Sequence, residues 1–351
     1  MRGVAGDGGS LFAAIGDHVA SRGAHTWSVA LPGTGGPVAA SGGLVYAAAS
    51  AKLRGDPGAL VVALDAATGA QRWKVPIDAT GWSVITAVAP VAGGVVVGGS
   101  FEGTLRAAAT VVSSAGQTDG FIARISDAGQ LVWLERFGGP GADAIQGVAT
   151  AGGTIAFAGT FSPGADVLGE PLQSIDEEAP YADAFAGVLD GNGARQWVTT
   201  FGGKLDDAVA GVALDAAGRV VVAATARGDT HVGAHELKPQ RTTQALVTWL
   251  SRDDSAAVLL DADGASAIAA AQGHVVVGGF TASDAILVAL DDGHELRRWP
   301  VTGPGREEVS AVSSVPGGFV AAIAHTAAAT FDGTALPAPA DPMAGGALVV
   351  R

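Results

Sequence analysis

The chain has 351 residues, of which 53 are glycine, 48% are hydrophobic and 15% are charged, with a net charge of −14. This hydrophobic content predicts a folded protein, and the negative charge argues against nucleic acid and anionic membrane surfaces as partners. No apolar segment is long enough to span a bilayer, and the absence of cysteine excludes disulfides, thiolate metal sites and cysteine nucleophiles.

A small turn followed by a short apolar segment recurs along the whole chain. A repeated unit of this kind predicts a repeat fold, in which each unit buries its faces against its neighbours. The copies are GGSLFAAIG (8–16), GGLVYAAAS (42–50), GGVVVGGSF (93–101), GGTIAFAGT (152–160), AGRVVVAAT (217–225), QGHVVVGGF (272–280) and GGFVAAIAH (317–325).

Each copy belongs to a unit of four predicted strands. A small apolar strand precedes it, and an alternating strand such as LVVALD (60–65) follows it, as expected of half-buried β-structure. The fourth strand follows a polar turn and usually carries tryptophan, and in the fifth unit Val258 is expected at that position. The fourth-strand tryptophans, Trp27, Trp73, Trp133, Trp197 and Trp299, are therefore predicted to pack between units.

Repeated units of four antiparallel strands are typical of a β-propeller. The sequence predicts an all-β protein with a single domain over residues 1–351, built as a seven-bladed β-propeller of four-stranded blades. The last blade is expected to lack its outer strand, because no tryptophan strand follows ALVVR (347–351). Six or eight blades remain alternatives.

Two stretches resemble known propeller repeats. Residues 119–161 resemble the bacterial β-propeller repeat of exported and surface proteins (SBBP-type), and ALDAATGAQRW (63–73) resembles the pyrroloquinoline-quinone-type repeat. The resemblance extends over nearly the whole chain and implies the fold. It also implies a bacterial protein of the periplasm or cell surface if a signal is removed, and a cytoplasmic one otherwise.

The predicted strand order places variable loops on one face. These loops join successive units, or the second and third strands of one unit, and the long ones are 102–118, 162–182, 226–244 and 326–344. A rigid scaffold with irregular loops on one face is how binding surfaces are usually built. Loop drift without function is the alternative.

Acidic residues are predicted at the entrance to the innermost strands, around the mouth of a central channel. Asp143, Asp207 and Glu308 align there, with Ser83 and Asp263 nearby in their own units. Converging carboxylates could hold a divalent cation such as Ca²⁺, or raise one another's pKa values. The alternative is that each acid only caps a turn, and no other cofactor is indicated.

Aromatic and histidine side chains give further candidates. Trp82 breaks the tryptophan pattern in a loop leading to an innermost strand, and with Tyr181 it could stack on a sugar or a peptide. His231 and His235 share a long loop, but no further metal ligand is spaced with them.

No catalytic motif is present in the sequence, so three functions remain open. The first is a non-catalytic binding or scaffold protein that presents the loop-rich face to a protein, peptide or glycan. The second is an enzyme with Asp143, Asp207 and Glu308 as acid–base or cation-holding groups, and the third is a carbohydrate-binding protein using Trp82 and Tyr181.

Overall fold

The computed structural model describes residues 3–53, 56–175, 181–271, 273–282, 284–338 and 346–350. The regular secondary structure in these ranges consists of β-strands, which confirms the all-β prediction. We find no helical segment in the described ranges with the length and hydropathy of a membrane span.

The strands fall into consecutive antiparallel units, numbered here in chain order. Unit 1 contains β1 (Gly3–Asp7), β2 (Ser10–Ile15), β3 (His18–Gly23) and β4 (Trp27–Ala30). Unit 2 contains β5 (Thr34–Ser41), β6 (Leu44–Leu53), β7 (Asp56–Asp65) and β8 (Gln71–Ala79). Unit 3 contains β9 (Ser83–Val91), β10 (Gly94–Ala107), β11 (Thr110–Ser126) and β12 (Leu131–Gly138).

The next two units contain short hairpins between their second and third strands. Unit 4 contains β13 (Ala144–Ala151), β14 (Thr154–Phe161), the hairpin β15 (Asp166–Val167) and β16 (Glu170–Pro171), β17 (Asp183–Leu189) and β18 (Arg195–Gly203). Unit 5 contains β19 (Ala208–Leu214), β20 (Val220–Ala226), the hairpin β21 (Thr230–Val232) and β22 (His235–Leu237), β23 (Gln244–Leu250) and β24 (Ser255–Leu259).

The last two units complete the chain. Unit 6 contains β25 (Gly264–Ala271), β26 (His274–Phe280), β27 (Ala285–Asp291) and β28 (His294–Thr302). Unit 7 contains β29 (Glu307–Val315), β30 (Gly318–His325), the hairpin β31 (Ala329–Phe331) and β32 (Thr334–Leu336), and β33 (Gly346–Val350).

The repeated glycine turns join the first and second strands of the units. Gly42 and Gly43, between β5 and β6, have φ values of +61° and +78°, and Gly152 and Gly153 repeat this in unit 4 with +55° and +87°. Glycine adopts this left-handed conformation without the steric cost of a Cβ atom, which explains why the turn recurs.

The long loops form β-structure at the outer edges of neighbouring units. The hairpins of units 4, 5 and 7 pair with β12, β18 and β28, and the extended end of β10 pairs with β8. Each therefore hydrogen-bonds to the outer strand of the preceding unit. Covering an edge strand in this way removes a template for aggregation.

Hydrophobic clusters lie between successive units. Separate clusters join units 1 and 2, 2 and 3, 3 and 4, 4 and 5, 5 and 6, and 6 and 7. A further cluster contains Val4 and Ala13 of unit 1 with Val320 and Ala322 of unit 7. The first and last units therefore contact each other.

A channel of about 430 Å³ runs between the first strands. Three successive residues from each of β1, β5, β9, β13, β19, β25 and β29 line it, and none of these described lining residues is acidic. The predicted acidic residues are thus not part of the channel wall.

Backbone pairing corrects two positions in the predicted tryptophan strands. Trp73 and Trp197 each directly follow a bulge in the pairing with the third strand, and Arg297 occupies that position in unit 6, two residues before Trp299. In unit 5, Ala256 rather than Val258 lies there, opposite Trp249. The shorter turn before β28 shifts the sequence relative to the sheet.

Candidate functional site

The predicted site residues Trp82, Asp143, Tyr181 and Asp207 lie in connections at one end of the strands, and Glu308 is the second residue of β29 at the same end. Antiparallel alternation brings the connections between units to the same end as those between second and third strands. We call this side the connection face, and residues 80–82, 139–143, 181–182, 204–207 and 303–306 belong to it.

Asp143 is buried at the junction of units 3 and 4, with 2% of its surface exposed. Its Oδ2 accepts the backbone N–H of Gly139 and its Oδ1 that of Ser162, each at 2.7 Å, while its own N–H donates to the Thr118 carbonyl at 2.8 Å. Burial raises the pKa of Asp143, and the two donated N–H groups oppose the shift. The carboxylate thus bonds to the connection and to unit 4, while the backbone N–H bonds to unit 3.

Asp207 repeats this arrangement at the junction of units 4 and 5. Its Oδ2 accepts the Gly203 N–H at 2.8 Å, and its own N–H donates to the Ala182 carbonyl at 3.0 Å. Asp183 lies beside it: a Cβ on Gly202 would be 2.5 Å from Asp207 Oδ2 and 2.7 Å from Asp183 Oδ1. Burial, opposed by the Gly203 N–H and assisted by the Asp183 charge, raises the pKa of Asp207 to about 7.

Glu307, not Glu308, is the equivalent residue at the junction of units 6 and 7. Glu307 is 2% exposed whereas Glu308 is exposed. Burial and the Asp284 charge raise the pKa of Glu307. A β-bulge in the first strand of each of these units shows that the three buried acids are equivalent. Each acid lies two residues before the residue where the bulge begins, which is Ile145 in unit 4, Val209 in unit 5 and Val309 in unit 7.

Ser83 and Asp263 occupy the same register in units 3 and 6. Ser83 Oγ accepts the N–H of Ala59 at 3.0 Å, and Asp263 is ion-paired with Arg241 at 2.7 Å. In units 3 to 6 the position therefore bonds to the preceding unit or to the connection that follows it, through whichever polar side chain it carries. In unit 7 the two carboxylate oxygens of Glu307 are buried and have no hydrogen-bond partner among the described residues. The bonds in units 3 to 6 favour the capping interpretation of the acids over a shared cation site.

The predicted acids lie at separate junctions between units and do not converge on one site. Asp143 and Asp207 each bond to their own junction, and the described residues contain no group of three His, Cys, Asp or Glu side chains that could hold a metal ion. His235 Nε2 lies 2.9 Å from the Ser255 carbonyl, and His231 pairs across the hairpin with Glu236.

The two aromatic candidates lie at different junctions. Trp82 is partly buried between units 2 and 3, where its carbonyl accepts the Glu102 N–H at 2.9 Å. Tyr181 is 40% exposed beside the junction of units 4 and 5. We find no described contact that joins them, so they do not form one stacking site.

Leu205 is a neighbour of Tyr181 that the sequence pattern did not reveal. It is 42% exposed, and its loop is tied to that of Tyr181 because Asp206 Oδ1 accepts the Ala182 N–H at 2.9 Å. The Asp207 N–H bonds to the carbonyl of the same Ala182. Two large exposed side chains therefore stand on neighbouring loops that are hydrogen-bonded to each other next to the buried Asp207.

Comparison with known proteins identifies the fold. An ulvan lyase of polysaccharide lyase family PL25 matches at 10% identity and TM-score 0.57, with 95% of this chain and 92% of that chain covered. The polysaccharide lyase Uly1 matches at 9% identity and TM-score 0.51, with 92% and 86% covered. The fold is a β-propeller.

Other comparisons add no functional assignment. One of two prolyl endopeptidases matches at 14% identity and TM-score 0.51, covering 99% of this chain but 48% of that chain. At these identities the propeller similarity shows the fold alone. No protein-family model and no curated protein sequence matches the chain.

Proposed function

We propose that the chain is a seven-bladed β-propeller, closed into a ring, that binds a protein or peptide at its connection face without catalysis. The hydrophobic clusters that join each unit to the next, including the last to the first, support the closed ring. In a closed ring the connections of all seven units contribute to a single surface.

The exposed pair Tyr181 and Leu205 carries the binding proposal. Apolar side chains of this size lose contact with water when a partner covers them, and tyrosine is enriched among residues that dominate interface energies. The hydrogen bonds of Ala182 to Asp206 and Asp207 hold the two loops together before binding. Such preorganisation reduces the entropy lost on association.

Burial of the acids argues against the enzyme alternative. Asp143 and Asp207 are 2% and 7% exposed, and both carboxylates accept backbone N–H groups. A general acid or base must reach its substrate within hydrogen-bond distance. Glu308 is exposed, but the equivalent residue that contacts the junction is Glu307.

A glycan is the second candidate ligand. Tyr181 and Trp82 offer ring surface at the connection face, and two proteins with the same fold are polysaccharide lyases by name. The exposed Leu205 beside Tyr181 favours a protein or peptide, because an aliphatic side chain offers no hydrogen bond to sugar hydroxyls.

The proposal is tested with a phage-displayed random peptide library selected on immobilised wild-type protein. Tyr181→Ser and Leu205→Ser should each weaken the selected peptides about tenfold or more, the effect of removing an interface hot spot. Val111→Ser is the matched control, because Val111 is 45% exposed on the β10–β11 arm. Peptides that bind all three variants equally would refute the proposed surface, and glycan-array binding that requires Tyr181 would favour the second candidate.

A further inference from the structure

A groove of about 780 Å³ lies at the outer edge of units 2 and 3. Its walls are the outer strand β8 of unit 2, the extended end of β10, and the turn that leads into β12. That turn joins a third strand to a fourth strand, so it lies at the end of the strands opposite the connection face. The groove is therefore a surface separate from the connection face.

The groove is formed by a hairpin that recurs in units 3, 4 and 5. In each unit a strand pairs with the outer strand of the preceding unit and then makes a two-residue turn. The residue after that turn is Thr110, Glu170 or His235, respectively. The first residue of the fourth strand in the same units is Leu131, Arg195 or Ser255.

These two positions are bonded to each other in units 4 and 5 but not in unit 3. Glu170 and Arg195 form an ion pair at 3.1 Å, and His235 Nε2 lies 2.9 Å from the Ser255 carbonyl. In unit 3 the leucine side chain at the second position has no polar atom that could make such a bond. The corresponding cavity in unit 5 measures about 330 Å³, so the groove is wider where the bond is missing.

Two cations in the lining of the groove have no counter-charge. Lys74 of β8 and Arg106 of β10 are exposed, and no ion pair or side-chain hydrogen bond joins either of them to another described residue. Asp78, which is partly buried, is the one acidic side chain in the described lining. The exposed charge of the groove is therefore positive.

The charge of the whole chain is distributed unevenly, and the groove lies in its least acidic part. Residues 1–110 contain seven Lys or Arg and six Asp or Glu, whereas residues 111–351 contain 13 Lys or Arg and 28 Asp or Glu. An anionic partner is repelled by the later units but not by the first two. Charge complementarity thus favours an anionic ligand at this groove.

The floor of the groove offers backbone and apolar surface. β10 pairs with residues 77–79 of β8, and in the described part of the chain no strand pairs with residues 71–76 on that edge. Val75, which is 7% exposed, and the partly buried Leu131 supply the apolar surface. An extended peptide can hydrogen-bond to an unpaired strand edge, with its side chains in the adjacent pockets.

We propose that this groove binds an extended acidic segment of a partner protein. Carboxylates of the segment contact Lys74 and Arg106, and an apolar side chain between them packs on Leu131. The backbone of the segment runs along the unpaired edge of β8. The site is independent of the binding proposed for the connection face.

A fluorescein-labelled peptide of alternating glutamate and valine, EVEVEVE, is the probe. In fluorescence anisotropy at low salt we expect it to bind the whole protein at least about tenfold more tightly than QVQVQVQ does, and to weaken as salt is raised. Bound EVEVEVE should also slow amide hydrogen exchange at residues 71–79 and 105–110.

Substitutions of the two cations test the charge of the groove. Lys74→Gln and Arg106→Gln should each weaken EVEVEVE about two- to fivefold, the effect expected of an exposed ion pair. Lys204→Gln is the matched control, because it removes an exposed cation of the connection face and should leave the affinity unchanged. Tyr181→Ser should also have no effect, so this proposal and that for the connection face fail separately.

A double variant tests the groove itself at unchanged net charge. Thr110→Glu with Leu131→Arg copies the Glu170–Arg195 ion pair into unit 3 and should abolish binding by closing the groove. Circular dichroism establishes whether this variant folds, and the single cation variants keep the test decisive if it does not.

Four results would overturn the proposal. The first is an absence of EVEVEVE binding, and the second is a loss in Lys204→Gln as large as that in Lys74→Gln, which would indicate diffuse attraction. The third is unchanged affinity in the folded double variant. The fourth is dextran sulfate binding that depends on Lys74 and Arg106 while EVEVEVE does not bind, which would assign the groove to an anionic polysaccharide.

Discussion

Replacing Asp207 by Asn should make the protein more stable above neutral pH. The folded-state pKa is raised from 3.8 to about 7, mainly by burial. Between these values the folded state holds a proton that the unfolded state has released, so the free energy of unfolding falls as pH rises to about 7 and is constant above it. Asn has no proton to lose, and its side-chain oxygen can still accept the Gly203 N–H.

The size of the effect follows from the pKa difference. A pKa difference of one unit changes the free energy of unfolding by 1.36 kcal/mol. The raised pKa of Asp207 therefore lowers the free energy of unfolding by about 4 kcal/mol in total, and about 3 kcal/mol of this is lost between pH 5 and pH 8. Urea unfolding of wild type and Asp207→Asn at both pH values should therefore show the variant gaining about 3 kcal/mol relative to wild type at the higher pH.

A neighbouring acid provides the control for this experiment. Asp206 is exposed, and its charge is the smallest of the causes acting on the pKa of Asp207. Asp206→Asn should keep most of the wild-type pH dependence. If Asp207→Asn follows the wild-type curve in parallel from pH 5 to pH 8, the carboxyl is ionised in the folded state and the reasoning is wrong.

Three further substitutions or additions test the site and the fold. Gly202→Ala should destabilise by at least about 2 kcal/mol in urea unfolding because the new Cβ meets two carboxylates, whereas Gly218→Ala, with open space around it, should cost less; equal losses would contradict this. Millimolar calcium should leave the melting temperature unchanged, because Asp143 and Asp207 already accept backbone N–H groups; a rise that Asp143→Asn abolishes would contradict it. Val167→Asp buries a charge where β15 pairs with β12, and should speed hydrogen exchange at residues 166–171 while the core stays protected.

The repeat unit could be predicted from sequence because its signals are local. Glycine at positive φ, period-two alternation and polar turns each mark a strand end within a few residues, as the turn at Gly42 and Gly43 illustrates. The all-β class and the grouping of strands follow from these signals alone.

Register could not be predicted in the same way. A β-bulge inserts one residue into one strand of a pair, so the position that faces the neighbouring unit shifts without a sequence signal. This is why Glu307 rather than Glu308 is buried. In unit 6 a shorter turn before β28 places Arg297 rather than Trp299 in the tryptophan register. Leu205 was missed because a single exposed leucine in a loop has no pattern around it.

The structure of the long loops also differs from what the sequence predicted. Polar, glycine-containing stretches such as 226–244 suggested a free binding rim, but β21 pairs with the outer strand of the preceding unit and β22 pairs with β21. Hydrogen bonding between distant segments decides this, and it leaves parts of short connections, such as residues 204–206, as the exposed part of the face.

Closure of the ring is the central claim, and one engineered cross-link tests it directly. A Cβ on Gly6 of unit 1 would lie 3.5 Å from Cβ of Val315 in unit 7, within the range of about 3.5–4.5 Å that a disulfide requires. The chain contains no cysteine, so Gly6→Cys with Val315→Cys introduces the only thiols. Mass spectrometry after mild oxidation should show a monomer with one internal disulfide. Two free thiols, or covalent dimers alone, would mean that the first and seventh units are not adjacent.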